Sequence, residues 1–328
     1  MQYPLGADII ILSWDRIDDT IAAITSALNQ ALDACKVIVV DQGSKPENVN
    51  QLREFETRCN TAKLQCIYLQ ENLGVAGGRN VAAEHGQYRY IIALDNDAEF
   101  ADQHQVQRAV TLMESEPETA AFGFRIKCFG EDIDDASSWS YPQVMKQFAD
   151  KSFASTHFVG AGHILRRDAF TKVGMYDDVL FFMLEEKDLS MRLLNAGYHI
   201  RYEPTVEIAH KVAAEHRVQW SGNRWQFNVR NTLYIQLKQS GLGAKWLFSA
   251  VLFLHKGIRS QLLTKTLNGI WLALKLMPTA RKKAKTNPFY AVSASTMLYC
   301  RKCEGTDTFT PWQRFTRRVF KANRRVAK

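Results

Sequence analysis

The chain has 328 residues, a net charge of +8 and 46% apolar content, enough for one large domain or two ordinary ones built around real cores. Six cysteines at irregular spacing in a chain this long exclude a disulfide scaffold. No window approaches the roughly 20 apolar residues of a spanning helix, and Met1 to Gly6 lacks the basic start of a signal peptide.

Charge divides the sequence. Residues 1–209 hold 19 Lys+Arg against 31 Asp+Glu, whereas residues 210–328 hold 23 against 3. The break predicts a first domain over 1–211 and a basic amphipathic helical region over 212–328, the latter suited to a polyanionic partner.

In chain order, DIIILS (8–13) reads as a short buried strand. Ile17, Ile21, Ile24, Leu28 and Leu32 then recur at helical steps. KVIVVD (36–41) is a second strand, and Val49, Leu52 and Phe55 mark a second helix. LQCIYL (64–69) is a third strand, GVAGGRNVAAEHG (74–86) a turn opening a helix, and YIIALD (90–95) a fourth strand. The alternation predicts an α/β fold with a mostly parallel sheet and helices on both faces. Ligands of such sheets bind at the carboxyl ends of strands, where Ser13, Asp41, Asn72 and Asp95 fall. Residues 128–156 lack a sustained period and read as a mobile loop. A strand-like 157–165 follows, then a short helix opened by Arg166, Arg167 and Asp168, whose arginines read as solvated charge. Residues 181–204 read as a helix ending near Gly197 and a strand ending at Pro204.

Asp95 and Asp97 crown the fourth strand. Two carboxylates so close repel unless a cation lies between them. A hard divalent ion, Mn²⁺ or Mg²⁺, would neutralise the pair and accept a diphosphate. An Asx-type loop turn is the alternative reading.

In order, IIILSWDR, VIVVDQGS, QENLGVAGGRN, YIIALDND, GAGHILRRDAFTKVGMYDD, FFMLEEKDLSMRLLNAGY and EIAHK resemble the motif series of family 2 inverting glycosyltransferases of the GT-A fold. The resemblance is closest to the rhamnosyltransferase-like branch that builds bacterial surface polysaccharides. It spans residues 7–211, with a weaker echo in FNVRNTLYI (227–235).

The resemblance implies that Ser13, Trp14, Asp15, Arg16 and Asp41 hold the nucleoside, a carboxylate accepting from a base N–H or ribose hydroxyl. The family's usual Tyr-Asn is Trp14-Asp15 here. It implies that Asn72, Gly74, Gly77, Gly78, Arg79 and Asn80 run beneath the sugar nucleotide, that Asp95 and Asn96 contact it, and that Asp95, Asp97 and His210 ligate the metal. The catalytic base falls in LEEKDL. Glu186 stands where the family has Asp, with Glu185 and Asp188 as neighbours able to take the role. His163 is expected to be structural. The implied partners are a dTDP- or UDP-sugar, dTDP-rhamnose included, and a saccharide or lipid-linked saccharide acceptor.

In the second half, basic residues beside Trp246, Phe253, Ile258 and Leu262, and beside Leu267, Ile270, Trp271 and Leu274, suggest helices lying on an anionic membrane. Packing on protein, including a homo-oligomer, is the alternative. The expected location is cytoplasmic, peripheral on the inner membrane. Cys300 and Cys303 form a lone C-x-x-C without a second pair and read as incidental thiols. A sugar-phosphate nucleotidyltransferase is a competing class, but LSWDRIDD has no glycine after the first strand. A basic nucleic-acid-binding module is another, and it leaves the acidic strand ends unexplained. No nucleic-acid partner is expected.

Overall fold

The computed structural model describes residues 3–211, 222–310 and 313. The chain divides into two compact units, Met1–Arg217 and Val218–Lys328.

The first unit opens with β1 (Ala7–Ser13), α1 (Ile17–Leu28), β2 (Cys35–Gln42), α2 (Pro46–Cys59), β3 (Leu64–Leu69), α3 (Gly74–Glu84) and β4 (Tyr90–Leu94). It continues with β5 (Ala98–Phe100), α4 (Gln105–Ser115), β6 (Thr119–Cys128), β7 (Phe153–Ala154), β8 (Gly162–Arg166), α5 (Arg167–Lys172), α6 (Glu185–Asn195) and β9 (His199–His210). The strands form one sheet in the order β3-β2-β1-β4-β8-β6-β9-β5, with β7 paired to β9.

Successive strand residues point to opposite faces, and here both faces are covered. Ile9, Ile11, Val37, Val39 and Ile92 share a core with Ile24 and Ala27 of α1 and Val106 and Met113 of α4. Ile10, Ile38, Val40 and Ile91 are equally buried on the other face, where α3 packs on β1 and β2. Each such side chain contributes about 1.5–3 kcal/mol by leaving water.

The fold is GT-A-like α/β, as expected. The pairs β1/β2, β2/β3, β1/β4 and β6/β9 are parallel, but β8 runs antiparallel to β4 and β6, making the sheet mixed. That reversal sets Gly162 opposite Leu94, so Gly160 and Ala161 lie at the carboxyl end of β4.

Two local expectations are corrected, and a third is refined. β9 does not stop at Pro204 but runs to His210. Its register jumps from Phe124↔Glu203 to Arg125↔Glu207, so Pro204 sits in a bulge that asks no ladder N–H of it. Most of residues 128–156 are exposed and without regular structure, as read, but three of their rings anchor the segment. Their Trp139, Tyr141 and Phe153 rings cluster with Tyr202 of β9, at centroid distances of 5.6, 5.2 and 4.8 Å from it. Arg167 is not solvated. It is 4% exposed and donates to Asp8 Oδ2 and to the carbonyls of Tyr88 and Ala83, each at 2.5 Å. Arg166 likewise donates to the Met113 carbonyl at 2.7 Å.

The second unit is helical: α7 (Gly222–Ser240), α8 (Ala244–Arg259), α9 (Leu263–Lys275), α10 (Met277–Thr286) and α11 (Ala294–Cys303). Trp225 of α7 donates Nε1–H to Thr266 Oγ1 at 2.7 Å, and its ring meets Phe253 edge-on. A Cβ on Gly257 would come 2.1 Å from Thr266 Oγ1, so glycine there sets the close approach of α8 to α9. Among the described residues, no helix is long and apolar enough to cross a membrane. Cys300 and Cys303 are free thiols, with burial pushing Cys300 up to about 11. The basic stretch 314–325 lies outside the described residues.

Candidate active site

The carboxyl ends of β1, β2 and β4 meet the start of α3, the start of α6 and the end of β9. Strand register brings the acidic corner together. Ala98 of β5 pairs with His210, which is also opposite Cys128 of β6, so the last residue of β9 arrives beside Asp97. The Asp95–Asp97 turn is tied at both ends, by Asp95 N–H to the Ala161 carbonyl at 3.0 Å and Lys211 N–H to the Asp97 carbonyl at 2.7 Å.

His210 Nε2 lies 3.2 Å from Asp97 Oδ1, and ligand atoms of Asp95, Asp97 and His210 all fall within 4.8 Å of one another. Burial opposes charge on His210, but hydrogen bonds to Asp135 and Asp97 and the nearby Asp95 outweigh it and raise the imidazole to about 10. To ligate a cation through Nε2 it must give up that proton. Its Nδ1 faces Asp135 Oδ2 at 3.2 Å. Asp135 is 3% exposed and accepts further from Ser137 and Ser138, so it is fixed before His210 reaches it. A carboxylate behind a histidine is the arrangement that orients metal-binding imidazoles. Two carboxylates and an imidazole so placed fit a hard divalent ion.

Sequence reasoning missed Asp135 because it lies in GEDIDDASSW, where four neighbouring acids give no hint which one is buried. Burial works against the Asp97 charge too, yet His210 and Arg16 together hold its carboxyl below the ordinary range. Arg16 Nη1 donates to Asp97 Oδ2 at 2.7 Å. Asp15 and Arg16 both take left-handed backbone, φ 53° and 49°, a costly choice for residues with a Cβ.

The third element is the α3–α6 junction. Asn72 Oδ1 accepts Gly74 N–H at 2.7 Å, and Val75 N–H reaches the Phe181 carbonyl at 2.6 Å. Gly74 has φ 73°, and a Cβ there would lie 2.2 Å from that same carbonyl. Only glycine fits. This contact docks the start of α3 on the turn before α6, in which Phe181, Met183 and Leu184 also have positive φ. One turn along α3, Arg79 emerges facing α6. Its Nη1 donates to Glu186 Oε1 at 2.8 Å, and its Nη2 donates to Asp95 Oδ1 at 3.1 Å and the Gly160 carbonyl at 2.8 Å. A single buried guanidinium thus joins the metal corner to the base candidate.

The three acids of LEEKDL part company here. Asp188 accepts twice from Arg192, at 3.1 and 2.9 Å, both side chains being 1% exposed, which is an internal helix pair. Glu185 is buried with Oε2 unpartnered, and burial plus repulsion from Glu186 lifts its carboxyl well above the usual range. Glu186 keeps some exposure and faces Arg79.

The remaining expected residues are placed less uniformly. Trp14 is 59% exposed at the end of β1. The Asp15 carboxylate accepts from Lys45 N–H and Asn48, the Asp15 N–H donates to Ser44 Oγ, and Asp41 accepts from Ser44 N–H and Oγ, so the β1 and β2 loops are knit together. Ser13 and Asn96 both turn toward Thr20. Gly77 and Gly78 make room for Leu73 and for Gln42 and Leu12. Asn80 engages the Tyr176 backbone with both ends of its amide, at 2.9 and 3.0 Å. His163 is fully buried between the Val159 carbonyl and Tyr176 Oη.

Known proteins share this framework. The model of the family "Glycosyl transferase family 2" matches residues 8–174. A Haemophilus influenzae protein named as an uncharacterized glycosyltransferase is 24% identical over 216 residues, covering 63% of this chain and 77% of its own length. A Bacillus subtilis protein provisionally named teichuronic acid biosynthesis glycosyltransferase TuaG is 31% identical over 110 residues, 34% of this chain and 40% of that one. Among solved structures, a Pyrobaculum calidifontis mannosyltransferase in complex with GDP-Man and Mn²⁺ superposes with a TM-score of 0.55, at 14% identity, covering 94% of this chain and 88% of that one. GalNAc-T7 with UDP, GalNAc and Mn²⁺ gives 0.61, at 14% identity, covering 86% and 55%. These two likenesses speak for the fold. With half of its length matched by the family model, and a strand-end acidic corner built on that fold, the chain belongs to glycosyl transferase family 2.

Proposed function

We propose that the protein is an inverting, metal-dependent glycosyltransferase that moves a sugar from a nucleoside diphosphate donor to a hydroxyl of a saccharide or lipid-linked saccharide. The observation that carries this reading is Arg79, whose one guanidinium joins Asp95 to Glu186. A leaving-group site and a base must act on the same anomeric carbon, and one side chain holding Asp95 and Glu186 together supports giving them those roles.

Asp95, Asp97 and His210 would hold Mn²⁺ or Mg²⁺, which would offset the diphosphate charge that grows as the glycosidic bond breaks. Trp14 stacks on the base, with Asp15 and Asp41 framing the nucleoside loops. Glu186 takes the proton of the acceptor hydroxyl. The freed oxygen forms a bond to the anomeric carbon from the face opposite the nucleotide, whose C–O bond breaks with its electron pair leaving on the diphosphate. Burial and repulsion from Glu186 raise the Glu185 carboxyl, and Asp188 is held by Arg192, which favours Glu186 over both.

The rhamnosyltransferase-like motif series supports a deoxysugar donor linked to dTDP, with UDP-sugars as the second class. The similarity to the Bacillus subtilis protein named for teichuronic acid biosynthesis supports a role in polysaccharide synthesis. The test is turnover of a panel of nucleotide sugars by the full chain, with Mn²⁺ and with chelator. The expected result is metal-dependent release of one nucleoside diphosphate and a product whose anomeric proton coupling is inverted relative to the donor. Retained configuration would overturn the mechanism.

A further inference from the structure

Helices α7 to α11 carry a feature that the proposed sugar transfer does not use. Residues 222–303 contain 14 Lys+Arg and not one Asp or Glu. On α8, Leu247, Val251, Leu254 and Ile258 follow at steps of four, three and four. On α9, Leu263, Leu267, Ile270 and Leu274 repeat those steps, with Trp271 beside them. Such steps place each set on one helix face. These faces look outward. Leu247 is 58% exposed, Val251 61%, Ile258 61%, Leu267 52% and Trp271 52%. The opposite faces do the packing, through Trp246, Ala250, Phe253 and Gly257 on α8 and Thr266, Gly269 and Ala273 on α9.

Large apolar side chains in outward rows on two successive helices are uncommon on a protein that stays free in water. Cations border the rows. Lys245, Arg259 and Lys275 are exposed, as are Arg281, Lys282 and Lys285 on α10. Lys275 Nζ stands 3.6 Å over the Trp271 ring, an indole capped by a cation, which suits an interface that is apolar below and charged above.

We infer that the outward faces of α8 and α9 form a docking surface for an anionic lipid bilayer, lying in its headgroup plane. The charge decides among occupants. A second copy docked through the same helices would bring another acid-free surface against this one, and like charges repel. A nucleic acid would pair with the cations but leave the leucines and valine in water. Anionic lipid satisfies both, with acyl chains under the apolar rows and headgroups against Lys and Arg. No described helix is long and apolar enough to span, so the contact lies on the membrane rather than through it.

The experiment is flotation of the full chain with phosphatidylcholine vesicles, with and without phosphatidylglycerol, beside Leu247→Glu/Val251→Glu and Leu267→Glu/Trp271→Glu. Binding is expected only with phosphatidylglycerol, weakening with salt, and each double variant should lower partitioning at least about tenfold. Trp271→Phe guards against misfolding of the glutamate variants. Brominated lipid should quench wild-type tryptophan emission, and much of that quenching should vanish in Trp271→Phe. Three results would overturn the inference: no binding to anionic vesicles, binding that the double variants leave unchanged, or a wild-type dimer by light scattering that the same variants dissolve.

Discussion

Arg79 and Glu186, 107 positions apart, meet with Nη1 2.8 Å from Oε1. The pairing depends on Gly74, whose missing side chain lets α3 dock on the turn before α6. Arg79→Lys keeps the charge but loses the fork that reaches Glu186, Asp95 and Gly160 at once. A misplaced base costs roughly 10²-fold, so kcat should fall about that much in Arg79→Lys. Glu186→Gln should lose turnover more completely while isothermal titration still finds donor binding. Wild-type turnover in Glu186→Gln would move the base to Asp188 or Glu185.

Asp135 stands behind His210 and should act on metal affinity rather than on the fold of the site. Asp135→Asn keeps the shape and, through Oδ1, the Ser137 contact, but removes the charge and puts an amide N–H₂ where Oδ2 accepted from Ser138 and faced Nδ1. Removing such an outer partner typically costs 10–100-fold, so Mn²⁺ affinity measured by titration should fall by roughly that factor. Equal affinity would make Asp135 a loop anchor only.

The Asp8–Arg167 pair is remote from the site and joins β1 to α5 in the interior. Burial raises the Asp8 carboxyl and lowers the Arg167 guanidinium, as expected of charges short of water. Breaking a buried pair by removing one partner costs about 3–5 kcal/mol. Arg167→Met should therefore lower unfolding stability by about that amount in urea melts, and Asp8→Asn/Arg167→Met should recover part of it.

His163 provides the pH dependence. Burial, with Arg79 nearby, holds its imidazole well below the usual range. The unfolded chain takes up a proton near the ordinary value of about 6.5 that the folded chain refuses. The stability this residue confers is therefore present above that pH and lost progressively below it. Between pH 7 and 5, wild type should lose up to about 1.4 kcal/mol more per pH unit than His163→Gln in denaturant melts. Parallel slopes would contradict the assignment.

The first four strands and their helices were legible because Ile, Val and Leu fill both faces of a parallel sheet and the helices keep a 3.6 period. TAAFGFRIKC, which forms β6, opens on an apolar run that periodicity alone does not type, and only its FRIKC end alternates. The ends of elements misled where tertiary contacts override local rules, as at Pro204 in its bulge and Arg167 beside Asp8. At the site, the residue types at strand ends were readable, but their partners were not. Arg79, expected beneath the nucleotide, bridges two acids that no local pattern pairs with it. Asn80 faces the Tyr176 backbone, and Asp135 was invisible among its acidic neighbours. The Arg79–Glu186, Asn80–Tyr176 and Asp135–His210 contacts span 107, 96 and 75 positions, which no local pattern encodes.

The most direct measurement is a crystal of the full chain grown with Mn²⁺ and a non-hydrolysable nucleotide sugar, with anomalous data collected at the manganese edge. The account predicts one strong peak among Asp95, Asp97 and His210, with the diphosphate on it and the anomeric carbon turned toward Glu186. A silent corner with the nucleotide bound elsewhere would contradict it.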